Sequence, residues 1–456
     1  MSKKGVFQTE KRAMQAFIRP KKGEPFPRPV QDIGVPLSDR KTTISPYTMA
    51  KPIPEGNFPM VAKTFYGLEE VLAEELRALG AMRVTPARRA VSFYGDTGFL
   101  YKANLCLRTA LSVLVPIKTD KVFNETQLYK SVYNIPWERY LSARDTLAVD
   151  ATVASQVFTN SHYVTLKVKD AIVDRIRDKM NARPDIDRED PSLRVNVHLA
   201  DRTLTLSLDS SLGLHKRGYR AATNIAPINE VLAAGLLLLS GWKGLTNLMD
   251  PMCGSGTILI EAAMIAANIP ACIHKKRFGF ESWNDFDPEL FEKIKTVSLK
   301  KMRDPDIAIL GRDKAPSAIA KTIENITNAG LDDFIKVSRQ DFFHSRRPEN
   351  GRWTLLFNPP YGQRLEIDER DFYKKVGDTL KTNYPDTEAW MITASKEGLK
   401  SIGLRTSRSI PLMNANLESR LVKYELYTGS RRAPKSDGSS QDSDTAQQPP
   451  SAPTTA

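Results

Sequence analysis

Apolar positions recur along this chain with two periods, near 3.6 and 2, and their alternation outlines three ordered units. Phe58-Pro-Met-Val-Ala predicts a short strand that opens the first unit. Leu68, Val71, Leu72, Leu76 and Leu79 follow at helical spacing, with Gly80 as a helix C-cap. Val91-Ser-Phe-Tyr predicts a returning strand, so the first unit reads as a small α+β fold whose leucine stripe is core. In the second unit Leu147, Val149, Ala151 and Val153 alternate as in a strand. A helix is expected from about Val164 to Met180, with Ile172, Val173, Ile176 and Met180 on one face. Two strands follow, at Leu193–Val197 and Leu204–Leu208, joined by a tight turn at Asp201-Arg202. Lys167, Lys169, Arg175, Arg177 and Lys179 occupy the other faces of the helix, where a solvated surface and a phosphate-contacting surface are both open readings.

From about Ala226 to Tyr427 strands and helices alternate. Ile228–Ser240 is an apolar helix closed by Gly241, Asn247–Asp250 a strand and Thr257–Ala267 a helix. Ile307–Leu310 is a strand ending near Asp313, and a helix covers about Ala315–Ala329. Strands at Phe334–Ser338 and Trp353–Phe357 precede Asp341 and Asn358. Repeated β-α units predict an α/β fold with a parallel, doubly wound sheet. Arg408–Leu412 and Leu421–Tyr427 add a terminal antiparallel hairpin. The segment from Asn268 to Asp304, rich in Lys, Phe and Trp, has no role that its pattern assigns.

Charge narrows the partners. The chain of 456 residues carries a formal net charge of +13, and its pI is about 9.4. This balance favours a polyanion, because basic side chains displace the counterions of phosphates. Residues 1–55 hold 11 Lys/Arg, 5 Asp/Glu and 8 Pro. That arm, taken as 1–56, and the Ser/Asp/Gln/Pro/Thr-rich tail 430–456 cannot bury much apolar surface and are expected to be disordered. The arm reads either as inert or as a flexible contact to RNA phosphates. Cys106, Cys253 and Cys272 lack C-x-x-C spacing, so neither zinc nor a disulfide framework is expected, and a reducing cytoplasm fits. No apolar run approaches the ~18 residues of a membrane span. A monomer is favoured, though nothing in the sequence fixes the oligomeric state.

In an open parallel sheet, ligands sit beyond the carboxyl ends of the strands, where every chemically suggestive segment of the third unit falls. Asp250-Pro-Met252-Cys253-Gly254-Ser255-Gly256-Thr257 is a glycine-rich strand-to-helix loop that matches neither the Walker nor the full dinucleotide pattern. Asp313 can accept from two ribose hydroxyls, or cap a helix. Asp341 is placed to accept from an adenine amino group, with Phe342 available for stacking. Asn358-Pro359-Pro360-Tyr361 is the sharpest signal. The Asn358 side-chain oxygen and the Pro359 carbonyl can both accept from one –NH2 group, drawing the nitrogen lone pair out of its ring toward an electrophilic methyl. Tyr361 offers a face to a flipped-out base. The competing reading is a tight turn at a strand end. No metal-ligand cluster and no Ser/His/Asp arrangement is seen, and His215 and His344 read as surface or RNA-facing groups.

Asp250–Thr257 with Asn358–Tyr361 resembles the amino-directed class of Rossmann-like methyltransferases. Three further stretches extend the likeness: Tyr163-Val-Thr-Leu-Lys-Val-Lys-Asp-Ala-Ile-Val-Asp174, Arg194-Val-Asn-Val, and Leu214-His-Lys-Arg-Gly-Tyr-Arg220 followed by Ala226-Pro-Ile-Asn-Glu230. They are similar to the THUMP-containing bacterial 23S ribosomal RNA guanine-N2 methyltransferases of the large-subunit L type, over roughly residues 57–428. The resemblance implies a ferredoxin-like domain at 57–120, an RNA-holding THUMP domain at 121–212 and a methyltransferase domain at 213–429. It implies that Gly254, Gly256, Asp313 and Asp341 hold S-adenosylmethionine and that Asn358–Tyr361 hold the guanine amino group. It also assigns Lys167, Lys169, His215, Lys216, Arg217 and Arg220 to RNA. Enterobacterial members carry a second methyltransferase domain, whereas a single activity is expected here, and the basic arm lies outside the family pattern. An adenine-N6 methyltransferase and a non-catalytic ribosome-assembly RNA binder are the alternatives. Intact glycines, aspartates and Asn358–Tyr361 speak against the second.

Overall fold

Residues 53–220, 227–360 and 368–428 are described by a computed structural model of the chain. The first unit comprises β1 (Phe58–Lys63), α1 (Glu69–Leu79), β2 (Met82–Ala87), β3 (Ala90–Gly95), α2 (Thr97–Cys106) and β4 (Ser112–Lys121). Gly80 ends α1 in the left-handed region, as its position after the leucine stripe predicts. The second unit comprises α3 (Glu125–Tyr133), β5 (Thr146–Ala154), α4 (Ser161–Met180), β6 (Asp185–Ile186), β7 (Leu193–Ala200) and β8 (Thr203–Asp209). The side chain of Asn160 accepts from the Tyr163 N–H, which starts α4 one turn before the apolar stripe shows it.

These two units share one eight-stranded sheet, ordered β2-β3-β1-β4-β8-β7-β5-β6. β4 is the joint, pairing with β1 on one side and β8 on the other. Register sets Ala62 beside Val113, Val115 beside Leu208 and Leu208 beside Val195 on a common face. The helices bury that face in two adjacent clusters, one around Leu72, Leu76 and Phe93 and one around Leu128, Ile172 and Val197.

The third unit comprises α5 (Glu230–Leu239), β9 (Asn247–Asp250), α6 (Thr257–Ala266), α7 (Pro288–Leu299), β10 (Ile309–Asp313), α8 (Pro316–Ala329), β11 (Ile335–Arg339), β12 (Trp353–Phe357), α9 (Glu369–Asn383), β13 (Glu388–Thr393), α10 (Lys396–Ser401), β14 (Arg408–Asn414) and β15 (Leu417–Glu425). The sheet order is β11-β10-β9-β12-β13-β15-β14. Its first five strands are parallel, and β15 and β14 close it antiparallel, as the pattern predicted. Alternate residues feed two cores: Leu248, Leu356 and Trp390 on one face, Met249, Leu355 and Met391 on the other. The sheet is therefore covered on both sides.

The unassigned 268–304 segment docks the units together. Phe280, Phe286 and Phe291 surround Tyr101 of α2, whose ring stacks on Phe280 with centroids 4.5 Å apart, and Phe278 packs behind Phe280 and Phe291.

Candidate active site

Strand order reverses between β9 and β12: β10 and β11 lie beyond β9, and β13 lies beyond β12. The crevice opened by that reversal is where an open α/β sheet receives ligands. β9 delivers Asp250 to its rim and β12 delivers Asn358.

Asp250 is 2% exposed and accepts the Met252 N–H at 3.0 Å. Burial pushes its carboxyl up to about 8, and the nearby Asp313 charge adds to that rise. The two glycines of the loop do different work. Gly254 has φ +57°, and a Cβ there would meet nothing within 4 Å, so its backbone borders open space. Gly256, at φ +79°, opens α6, and a Cβ there would come within 2.7 Å of the Thr322 side chain on α8. Helix packing therefore requires Gly256. Thr322 donates to the Gly254 carbonyl at 2.8 Å and Asn325 to that of Ser255 at 2.9 Å, which fixes the loop against α8. Cys253 is buried, and that burial raises its thiol well above the ordinary value, as in an inert structural cysteine. Met252 packs against the core on the α9 side, and Thr257 is buried at the start of α6.

Asp313 ends β10. One carboxylate oxygen accepts the Gly254 N–H at 3.0 Å and the other the Ala315 N–H at 2.9 Å. Each oxygen keeps a further lone pair for a ligand hydroxyl. Asp341 follows β11, accepts from the Phe343 N–H at 3.0 Å and remains part-exposed. Phe342 does not match the stacking role expected of it. Its ring is 3% exposed, stacked on Tyr384 at 5.6 Å and packed near Phe357, so it is a core side chain.

Asn358 follows β12, whose five residues are all buried. Its side-chain oxygen is buried with no hydrogen-bond partner among the described residues. Leaving such an acceptor unpaired costs about 1–3 kcal/mol, a cost that a donor on a ligand removes. Pro359 is buried beside it and Pro360 half-buried; Tyr361 lies outside the described residues. The open cradle at Gly254, carboxylates at two successive strand ends and an unpaired acceptor across the reversal fit an adenosine-bearing cofactor beside an amine.

The basic residues assigned to RNA divide. Lys167 lies over the Tyr129 ring at 5.4 Å, and Lys169 sits 2.8 Å from the Asp170 carboxylate, both on α4 with part of each side chain in water. Lys216 is exposed. His215 is half-buried; burial and then the surrounding cations push its pKa down to about 4, so it carries no charge for a phosphate near neutrality. Arg217 and Arg220 are corrected by the structure. The Arg217 side chain is 0% exposed and lies 3.4 Å from Glu261, also at 0%. Arg220 donates to Thr257 at 2.9 Å and pairs with Glu230 at 3.3 Å, which places it behind the glycine loop. The sequence reading named neither of their partners as such: Glu230 stood only as the end of the Ala226–Glu230 stretch, and Glu261 was not singled out. Glu261 was detectable as the lone charge in the apolar run Ile258–Ala266, since a buried charge needs a partner. Among the described residues no cluster of His, Cys, Asp and Glu could hold a metal ion, and no helix is long and apolar enough to cross a membrane.

A sheet of this order, with a glycine loop after β9, carboxylates after β10 and β11 and Asn-Pro-Pro after β12, defines an S-adenosylmethionine-dependent methyltransferase of the Rossmann-like class. Family profiles match along most of the described chain: an RlmL ferredoxin-like domain at 59–114, a THUMP domain at 123–209 and an RMKL-like methyltransferase domain at 217–423. The chain belongs to this THUMP-containing RMKL-like methyltransferase family. A Synechocystis sp. protein provisionally named an RNA methyltransferase is 38% identical over 373 residues, covering 81% of this chain and 97% of that protein. The ribosomal RNA large subunit methyltransferase K/L of Syntrophotalea carbinolica is 38% identical over 374 residues, covering 79% of this chain and 52% of its own. The chain thus spans about half the length of such K/L relatives. The crystal structure of SMU.472, provisionally a methyltransferase and complexed with SAH, superposes with a TM-score of 0.71 at 26% identity, over 83% of this chain and 100% of that one.

Proposed function

We propose that this protein methylates the exocyclic N2 amino group of a guanine in 23S ribosomal RNA, with the 57–120 and 121–212 segments presenting RNA to the 213–429 domain. The observation that carries the reading is the buried, unpartnered side-chain oxygen of Asn358 at the strand-order reversal. In this reading Asn358 and the Pro359 carbonyl accept the two hydrogens of one amino group and hold its lone pair out of conjugation. The Asp250–Thr257 loop, Asp313 and Asp341 hold the cofactor. When bound, S-adenosylmethionine supplies an electrophilic methyl on a sulfonium. No strong base is needed, because the amine becomes acidic only after it is alkylated and water can take that proton. Rate then comes from positioning and from the electrostatics of the crevice. Two relatives' names carry the RNA assignment: one is provisionally named an RNA methyltransferase, the other a ribosomal RNA large subunit methyltransferase. The THUMP match at 123–209 and the +13 net charge support a polyanionic partner.

The test is incubation with methyl-labelled cofactor and unmodified 23S transcript, followed by nucleoside mass spectrometry. N2-methylguanosine is expected. N6-methyladenosine, or no label in RNA, overturns the proposal.

A further inference from the structure

A second concavity lies away from the methyl-transfer crevice, where the three units meet. It encloses about 370 Å³, within the usual range for small-molecule pockets. Its floor is the apolar face of the eight-stranded sheet, with Val115 and Ile117 of β4 beside Leu208 of β8. Tyr101 of α2 forms one wall and Tyr140, beyond α3, the other. Trp283, from the segment inserted in the methyltransferase unit, roofs it. The roof is pinned on both sides: Asn284 donates to the Arg139 carbonyl at 2.7 Å, and the Asp287 N–H donates to the Tyr101 hydroxyl at 3.0 Å. The cavity is therefore preformed, and each unit contributes a wall that no single unit could supply.

The indole N–H of Trp283 is buried and has no acceptor among the described residues. A native fold rarely leaves such a donor unpaired; closed to water as it stands, it meets a ligand acceptor only when the Trp283 ring turns toward the cavity. Exposed Arg139 stands at the rim. The Tyr140 and Trp283 rings, an apolar floor, the polar side chains of Thr97 and Asn284, and a mouth shared by Arg139 and Asp285 match a nucleobase with its phosphate outside: the base offers a π-face to the rings and its polar edge to the polar groups, and the phosphate lies on the Arg139 side of the mouth.

We propose that this three-way cavity captures one unpaired nucleotide of the RNA substrate, at a fixed distance from the base that is methylated. The inference rests on the RNA reading of function. It assigns the inserted segment a part in substrate register, because Trp283 reaches RNA-holding units from within the methyltransferase unit.

Two variants of the full chain test it. Trp283→Phe keeps an aromatic ring but removes the N–H together with the rest of the indole's five-membered ring; Tyr140→Leu removes one wall. Fluorescence anisotropy of a labelled 23S fragment should show Kd raised about 3- to 10-fold in each, the scale of one hydrogen bond or one stacked ring. KM for RNA should rise in parallel while kcat and cofactor affinity stay unchanged. Wild-type Kd in both variants overturns the pocket even when methyl transfer to RNA is normal. Weakened Kd in the variants, with no transfer to RNA by the wild-type chain, supports the pocket and sinks the proposed function instead.

Discussion

Asn358 and Asp250 face the same crevice from adjacent strands, and each makes a distinct claim. Replacing Asn358 by Ala deletes the unpaired acceptor without touching the glycine loop. The expected result is a fall in kcat of about 10²–10³-fold, the scale for loss of one preorganised polar group. Cofactor affinity by calorimetry should be nearly unchanged; full activity would remove the amine-holding role. Asp250 predicts a pH dependence. Burial lifts its carboxyl from the ordinary value near 4 up to about 8, so between those values the folded chain keeps a proton that the unfolded chain has released. Stability from this group is then lost as pH rises through that window. Asp250→Asn abolishes the titration. The cofactor-free variant should gain in melting temperature relative to wild type between pH 5 and pH 8, and a constant difference across that range would show that Asp250 does not titrate there. His215 runs the opposite way, since a pKa pushed down to about 4 costs stability as pH falls. Both chains share it, so the comparison between them isolates Asp250.

Among the elements, the inserted segment predicts the largest effect. Phe280 is fully buried, 4.5 Å from the Tyr101 ring and 5.2 Å from that of Phe278. Phe280→Ala should cost about 3–5 kcal/mol in denaturant unfolding, with a transition split in two if docking of the units is lost before their cores melt. A cost below 1 kcal/mol would make the cluster a passive surface. Such long-range docking leaves no periodic trace, which is why this segment read as a run of aromatic and basic residues without purpose. The same limit hid four strands, one of them the two-residue β6. β4 carries Pro116, and its register shifts between Pro116 and Lys118, so its alternation breaks although it joins two sheets' worth of strands. β2 is an edge strand that holds Pro86 and no fully buried residue. β13 is buried at five of six positions and shows no alternation. By contrast β9, β10 and β12 were readable because a polar residue closes β9 and β10 and directly follows β12 after an apolar run. That boundary is also why Asp250, Asp313 and Asn358 could be picked out as site residues.

At the scale of the whole molecule, the joint between units is electrostatic as well as aromatic, and here the basic run His215–Arg220 misled. A cluster of cations between two units suggests a surface for phosphates, yet the partner that buries Arg217 lies 44 residues away on α6. Arg217 donates to the carbonyls of Leu107, Arg108 and Leu214, contacts the Cys272 sulfur at 3.2 Å and lies 3.4 Å from Glu261. Tyr219 donates to the same Glu261 oxygen at 3.1 Å. One guanidinium therefore ties the first unit, the segment after β8, the inserted segment and the helix that follows the glycine loop. Truncating one partner of a buried pair strands the other charge, at a cost of about 3–5 kcal/mol. Arg217→Ala should therefore unfold at markedly lower denaturant than wild type, whether or not RNA is present. Arg217→Ala/Glu261→Gln should recover part of the loss, since no uncompensated charge remains. A phosphate-contacting arginine predicts the reverse: unchanged stability, weaker RNA binding and a salt slope shallower by about one unit. Finding that second pattern would return Arg217 to an RNA interface, and finding the first makes it the pin that holds the first two units in register with the crevice of the third.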